Sequence, residues 1–347
     1  MIFNIIFNIF LSILIFFACI NQKNSHFSEV KFTKLTGKTM GTYWQIKVPI
    51  LKNKIDKIYI NNLIKKNLKK DEKLLSPWYK NSLVSKFNQL KKNKLLKINK
   101  DFLKILLTAI KINKKTHGKL DITIGTLIDM WGFGTKEKPL IFPSLNTIKK
   151  NINFSGNRHL KIIDNVNGVY IKKDINNLKI NLSTLGEGFS TDHISSILTK
   201  KGIKQHTISI GGTVLVKAKN NENAKIIAIQ KPTDKMKSIQ LLIKLKNKSI
   251  STAGNYRNYY FLNGKHISHI IDPQNGMPIN NQLVSVSVIS STALEADSWD
   301  TALLVLGFKK AKILALKENL AVCLIIKNKN KFLTWLSPNF KKFLIKK

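Results

Sequence analysis

At 347 residues, 43% of them apolar and 9% aromatic, the chain can bury one large core or two smaller ones, which excludes a disordered protein and makes disulfide or metal staples unnecessary. The formal net charge of +40 is almost all lysine, since only Arg158 and Arg257 among the 59 basic residues are arginine. Nucleic-acid interfaces rely on arginine forks, so an even spread of Lys among Asn and Ile reads as drift toward A/T-rich codons, with at most a loose attraction to anionic lipid or a phosphate-bearing ligand.

Residues 2–20 form an apolar run broken only by Asn4, Asn8 and Ser12. It is short for a membrane span and suits the core of a signal peptide. The run closes on Phe16-Phe17-Ala18-Cys19, a small residue then Cys, as at a bacterial lipoprotein cleavage site. Phe16 stands where Leu is usual, and no Lys or Arg precedes the run, so an uncleaved anchor with an incidental Cys19 thiol stays open beside lipidation. Both place the remainder on a membrane, outside the cytoplasm; the expected site is the periplasmic side of a bacterial inner membrane. Residues 20–30 read as a polar tether and 31–347 as a single domain. The other cysteine, Cys323, sits in an apolar run and is expected to pack as a small core residue.

Residues 32–48 read as extended on either side of Met40-Gly41-Thr42. Residues 55–75 and 102–117 have helical apolar spacing, with Gly118 a C-cap for the second. Residues 121–134 carry three glycines and read as a loop between short elements, and the Lys/Asn-rich stretch 144–180 alternates as hairpins do. A helix is expected over 185–200, then strands over 206–210, 224–230, 239–245 and 283–289, an apolar helix over 293–306 closing at Gly307, and a strand over 320–326. With no internal repeat and no linker, the fold class is α+β: one compact domain of mixed, largely antiparallel sheet with packed helices.

Four clusters carry chemistry: Met40-Gly41-Thr42; 121–127 running into Trp131-Gly132-Phe133-Gly134; 182–189 with Asp192 beyond; and a long stretch from Ser251 through His269 and Asp272 to Thr301. Gly186 and Gly188 at a helix start would leave amides open to a phosphate, and Gly211-Gly212 after a strand would allow a similar close approach; both are also ordinary turn or packing glycines. Asp297 and Thr301 are four apart and share a helix face, and two hard oxygens with room for water suit Mg²⁺. Asp297 alone is equally a favourable charge near a helix start. His269, three before Asp272, is a candidate proton acceptor or a structural histidine.

Together and in this order, the clusters resemble the ApbE-type FAD:protein FMN transferases. The likeness runs from about Lys38 to the C-terminus and is densest from Ser251 to Gly307. It implies transfer of FMN from FAD to a Thr or Ser hydroxyl of an acceptor protein, with AMP released. It further implies that FAD, as substrate, meets Met40, Tyr79, Lys119, Leu120, Asp121, Asn181, Glu187 and Ile271. Mg²⁺ would be held at Thr184, Asp297 and Thr301 with Asp300 assisting, and His269, alone or with Asp272, would be the base. Acceptors would be subunits of membrane electron-transfer complexes. The chain departs from the family pattern at Asn181 (commonly Asp), Thr126 (Pro) and Ala253 (Ser). These motivate one alternative, a non-catalytic FAD-binding lipoprotein; a second is Mg²⁺-dependent FAD hydrolysis to FMN and AMP, with water in place of the protein hydroxyl.

Overall fold

A computed structural model describes residues 32–50, 54–218, 224–233, 238–329 and 331–345. The expectations for the apolar leader, Cys19 and the tether all lie outside them. Two strands open the domain, β1 (Phe32–Thr39) and β2 (Thr42–Pro49), joined through Met40 and Gly41. Both turn residues have positive φ, 48° and 72°, the geometry that a two-residue hairpin with the right twist requires. Glycine adopts it freely; methionine needs support.

Next come α1 (Lys54–Leu75), α2 (Leu83–Gln89), β3 (Leu96–Ile98), α3 (Lys100–Lys115), α4 (Gly125–Met130), α5 (Leu145–Asn153), β4 (Leu160–Asn165), β5 (Gly168–Lys173) and α6 (Ser183–Lys200). The second half is richer in strand: β6 (His206–Ile210), β7 (Thr213–Lys217), β8 (Lys225–Gln230), β9 (Ile239–Leu245), β10 (Lys248–Gly254), β11 (Tyr259–Leu262), β12 (Lys265–Ser268) and β13 (Leu283–Ser290). It closes with α7 (Ala293–Leu306), α8 (Phe308–Lys317), β14 (Ala321–Asn328), β15 (Lys331–Leu336) and α9 (Pro338–Lys341).

Eight strands form one sheet in the order β1-β2-β6-β7-β10-β13-β14-β15, every neighbouring pair antiparallel. Its central strands are covered on both faces, so β14 reads as unbroken apolar sequence rather than alternating. Val322 and Leu324 point to a core shared with α7 and α8, whereas Ala321, Cys323 and Ile325 join the core beneath the β8–β9 ribbon and α9. Cys323 is fully buried and desolvation pushes its thiol up to about 12, which makes it the inert core residue expected.

α6 and α7 lie on the sheet, and α1 and α3 cover them. Squeezed between two layers, both helices are buried nearly all round, which explains why neither shows a clean amphipathic stripe. Among the described residues no helix is long and apolar enough to cross a membrane. Two expectations need correction. Residues 145–153 form α5 rather than hairpin, started by the Ser144 hydroxyl, which accepts from the Thr147 amide at 3.2 Å. α3 ends at Lys115, and the reversal is shared by His117 and Gly118, with φ of 50° and 85°.

Candidate active site

The crossing of α6 and α7 organises the site. On α6, Thr184, Gly188 and Asp192 recur every four residues and share one face; on α7, Ala293, Asp297 and Thr301 do the same. The two stripes meet antiparallel. Asp192 accepts hydrogen bonds from the Ala293 and Leu294 amides at 2.9 and 3.0 Å, and the Gly188 amide donates to Asp297 Oδ2 at 2.7 Å. That register carries Thr184, one turn before Gly188, toward Asp300 and Thr301, one turn after Asp297. Only glycine permits the approach: a Cβ on residue 188 would lie 2.5 Å from the Ala293 carbonyl oxygen and 2.7 Å from Asp297 Cβ.

Strands supply the remaining oxygens. Ser251 of β10 donates to Asp297 Oδ1 at 3.3 Å and shares a 2.9 Å hydrogen bond with Thr213 of β7. Glu187 reaches the β6–β7 turn, where the Gly212 amide donates to Oε2 at 2.7 Å. A Cβ on Gly211 would strike that carboxylate, and one on Gly212 would sit 2.8 Å from the Thr252 carbonyl oxygen. Two of the glycines expected to cradle a phosphate therefore have another role. Gly188 and Gly212 spend their amides on acidic side chains, and their missing side chains let the backbone come close.

Three acidic groups in one buried place repel one another. Desolvation, then the charges of Asp300 and Glu187, drives Asp297 well above the usual carboxylate range; desolvation drives Asp300 the same way, and it pushes Glu187 up to about 7. The Thr184 hydroxyl is buried and has no hydrogen-bond partner among the described residues. An orphaned hydroxyl beside carboxylates that resist ionisation fits a hard, oxygen-seeking cation, whose charge would hold both acids ionised. Among the described residues no group of three or more His, Cys, Asp or Glu forms a ready-made metal cage. Mg²⁺ seldom asks for one, because it keeps several water or phosphate oxygens.

Met40 abuts this crossing, since a Cβ on Gly186 would be 3.3 Å from its sulfur. Its left-handed turn is held by Glu72 of α1, whose Oε1 accepts from the Met40 amide and, at 3.0 Å, from the Thr39 hydroxyl. Glu72 carries no motif and was invisible in the sequence. Tyr79 and Trp78 stand exposed in the loop after α1, at 40% and 60%. Asn181 turns its Oδ1 back to the Ser183 amide at 2.9 Å and lines a cavity of about 150 Å³ with Asn88, Asp129 and Lys179. Leu120 and Ile271 are 2% and 3% exposed and packed in core, so these positions offer a ligand main-chain atoms only. Asp121 accepts from the Thr123 amide at 2.8 Å, and burial raises its pKa.

His269 follows β12 with its ring 6.2 Å from that of Phe133. Its Nδ1 lies 2.9 Å from the Asn258 carbonyl oxygen, which fixes the proton on Nδ1 and leaves Nε2 with a free lone pair. Desolvation pushes its pKa down to about 4, so the ring is neutral at neutral pH. Asp272 does not orient it. Both Asp272 oxygens accept from Lys119 Nζ, at 2.9 and 2.7 Å, and Oδ1 also accepts from the Gln274 amide at 3.0 Å. The pair expected to work together is thus engaged separately, and Lys119 and Asp272, expected in different roles, form one ion pair.

These features define a class: an α+β protein with an oxygen-only acidic site buried between two core helices, of a chemistry suited to a hard cation, and a neutral histidine on the loop after β12. The family follows from comparison. The ApbE family model matches residues 40–324, and the chain belongs to that family. It is 65% identical over 345 residues to the FAD:protein FMN transferase of Buchnera aphidicola subsp. Schizaphis graminum, covering 99% of each chain. It is 41% identical over 336 residues to the enzyme of that name from Escherichia coli K12, covering 95% of each. The flavin transferase ApbE from Vibrio cholerae superposes with a TM-score of 0.82 at 32% identity, over 90% of this chain and 99% of that one.

Proposed function

We propose that this chain is a flavin transferase that moves the FMN half of FAD to a Thr or Ser hydroxyl of an acceptor protein, with Mg²⁺ at the α6–α7 crossing and AMP as the other product. The crossing carries this reading, with a buried Thr184 hydroxyl that has no partner among the described residues, one turn from the Gly188–Asp297 contact, and with carboxylates that resist ionisation. The names of the 65% and 41% identical relatives support the donor and the reaction.

In the forward step the acceptor oxygen bonds to the phosphorus nearer the flavin, the bond from that phosphorus to the bridging oxygen breaks, and AMP leaves with the electron pair. The hydroxyl proton passes to Nε2 of His269, which is neutral and open because Nδ1–H is committed to the Asn258 carbonyl. Thr184, Asp297, Asp300 and Thr301 would hold the cation, with Ser251 and the Gly188 amide fixing the Asp297 carboxylate. Bound there, Mg²⁺ offsets the charge of the two linked phosphates. Met40, held by Glu72, would meet the flavin, and Lys119 presents a cation already balanced by Asp272. Cys19 would carry a lipid anchor that keeps the domain on the periplasmic face of the inner membrane, near electron-transfer subunits as acceptors.

AMP release tests the reaction. FAD with the full chain, Mg²⁺ and an acceptor domain bearing a Thr/Ser flavinylation motif should yield AMP only as fast as the acceptor gains flavin, and EDTA should stop both. Equal AMP and free FMN without regard to the acceptor would make the chain a hydrolase. FAD that binds and stays intact would make it a carrier.

A further inference from the structure

The sequence singles out Asp192, yet the proposed reaction gives it no task. Its carboxylate, on α6, accepts from the first two amides of α7, at 2.9 Å from Ala293 and 3.0 Å from Leu294. The next amide, of Glu295, donates to the Thr292 hydroxyl at 3.3 Å, and that of Ala296 to the Thr292 carbonyl at 3.2 Å. The Ala296 bond is the first of the helix's own ladder, so three of the amides that the helix start leaves open are satisfied by side chains, one by the helix's own flank and two by a neighbouring helix. Eight residues before Asp192, on the same face of α6, is Thr184; four and eight residues after Ala293, on the facing stripe of α7, are Asp297 and Thr301. The exchange is reciprocal, because the Gly188 amide donates to Asp297 Oδ2 at 2.7 Å. Each helix gives a carboxylate to the other's backbone, one turn apart.

We propose that Asp192 is a positioning residue that sets the register of α7 on α6 and so the spacing between Thr184 and the Asp297–Thr301 group. The inference rests on the cation assignment above. A side-chain cap from within α7, such as Thr292, stabilises the helix without fixing where it sits. A cap supplied from α6 does both. Buried carboxylates repel each other across this crossing, and an anchored register holds them at cation distance when the cation is absent.

The test compares Asp192→Asn, Asp192→Ala and Thr292→Ala in the full chain. Two quantities are read: the rise in melting temperature of the metal-free chain on adding MgCl₂, and the Mg²⁺ concentration that half-saturates FMN transfer. Partners that orient metal ligands typically cost about 10–100-fold in affinity when removed. Asp192→Asn should raise half-saturating Mg²⁺ by at least about tenfold, leave the KM for FAD at saturating Mg²⁺ within about twofold, and recover most of kcat in excess Mg²⁺. Asp192→Ala should do the same more strongly; if it does not fold, the near-isosteric Asn variant carries the comparison. Thr292→Ala should lower the melting temperature with wild-type Mg²⁺ response. If Asp192→Asn keeps the wild-type Mg²⁺ response, or Thr292→Ala shifts it equally, Asp192 is an ordinary helix cap and the proposal falls. A wild-type chain indifferent to Mg²⁺ in both readouts would instead overturn the cation assignment, and this role with it.

Discussion

Gly188→Ala isolates the helix crossing on which the site depends. In an exposed helix the change would stabilise by roughly 1 kcal/mol. Here the new methyl would lie 2.5 Å from the Ala293 carbonyl oxygen, 2.7 Å from Asp297 Cβ and 2.9 Å from the Ala293 carbonyl carbon. Two of these contacts are backbone, so no rotamer change relieves them and α7 must move off α6. Overpacking of this kind costs about 1–3 kcal/mol. Stretching the Gly188 amide bond to a buried carboxylate adds about 1.5–3 kcal/mol. Net of the helix gain, the loss is about 1.5–5 kcal/mol, a fall of roughly 2–8 °C in melting temperature for a domain this size. Displacing Asp297 from Thr184 by about 1 Å should cut transfer by about 100-fold. Gly186→Ala is the control. It gives the same helix gain, and its methyl would meet two flexible side-chain ends and no backbone, the Met40 sulfur at 3.3 Å and Leu75 Cδ1 at 3.8 Å. Differential scanning calorimetry and FMN transfer are measured side by side. If Gly188→Ala were as stable and active as Gly186→Ala, the two helices would not be in this contact.

Other outcomes follow from the same geometry. Asp300→Asn should hold or raise the melting temperature of the metal-free chain at pH 7 while abolishing stabilisation by Mg²⁺, checked by thermal shift with and without EDTA. The sign comes from its raised folded pKa: stability is present below the ordinary carboxylate value and is lost as pH rises toward the folded value, so acidification toward pH 5 should stabilise wild type more than the variant. His269→Ala should lower kcat by about 10²–10⁴; in wild type the rate should be flat near neutrality and fall as pH drops through about 4, and a histidine-dependent break near neutrality would contradict the burial argument. Glu72→Ala removes the support of the left-handed Met40 turn and should raise the KM for FAD by about tenfold, ~1.4 kcal/mol, with little change in kcat, read by steady-state kinetics.

Much of the fold was legible because local signals agreed with global packing. Gly307 does close α7 after Leu306, with φ of 74°, and the strand expected over 239–245 is β9 residue for residue. The four-residue spacing of Asp297 and Thr301 placed both on α7 in advance. What escaped was set by distant partners. α5 is the exception: Leu145, Ile148 and Ile152 stand at helical i, i+3, i+7 spacing behind the Ser144 cap, a local signal masked by the Lys/Asn-rich composition around it. Asp272 pairs with Lys119 across 153 residues, a contact that no periodicity encodes. Gly188 and Gly212 looked like phosphate-binding amides because spacing shows an available N–H but not the carboxylate that takes it. The same holds for Asp192 and Glu72, whose roles appear only once α7 and the β1–β2 turn fold against them.

The most direct test of flavin transfer is the mass of the acceptor. An acceptor domain with a Thr/Ser flavinylation motif is incubated with FAD, MgCl₂ and the chain lacking residues 1–19, then examined intact and as peptides. A mass gain equal to FMN on the motif hydroxyl, absent with EDTA and with Asp297→Ala, is the predicted result. An acceptor of unchanged mass beside an active, FAD-bound chain would contradict the account.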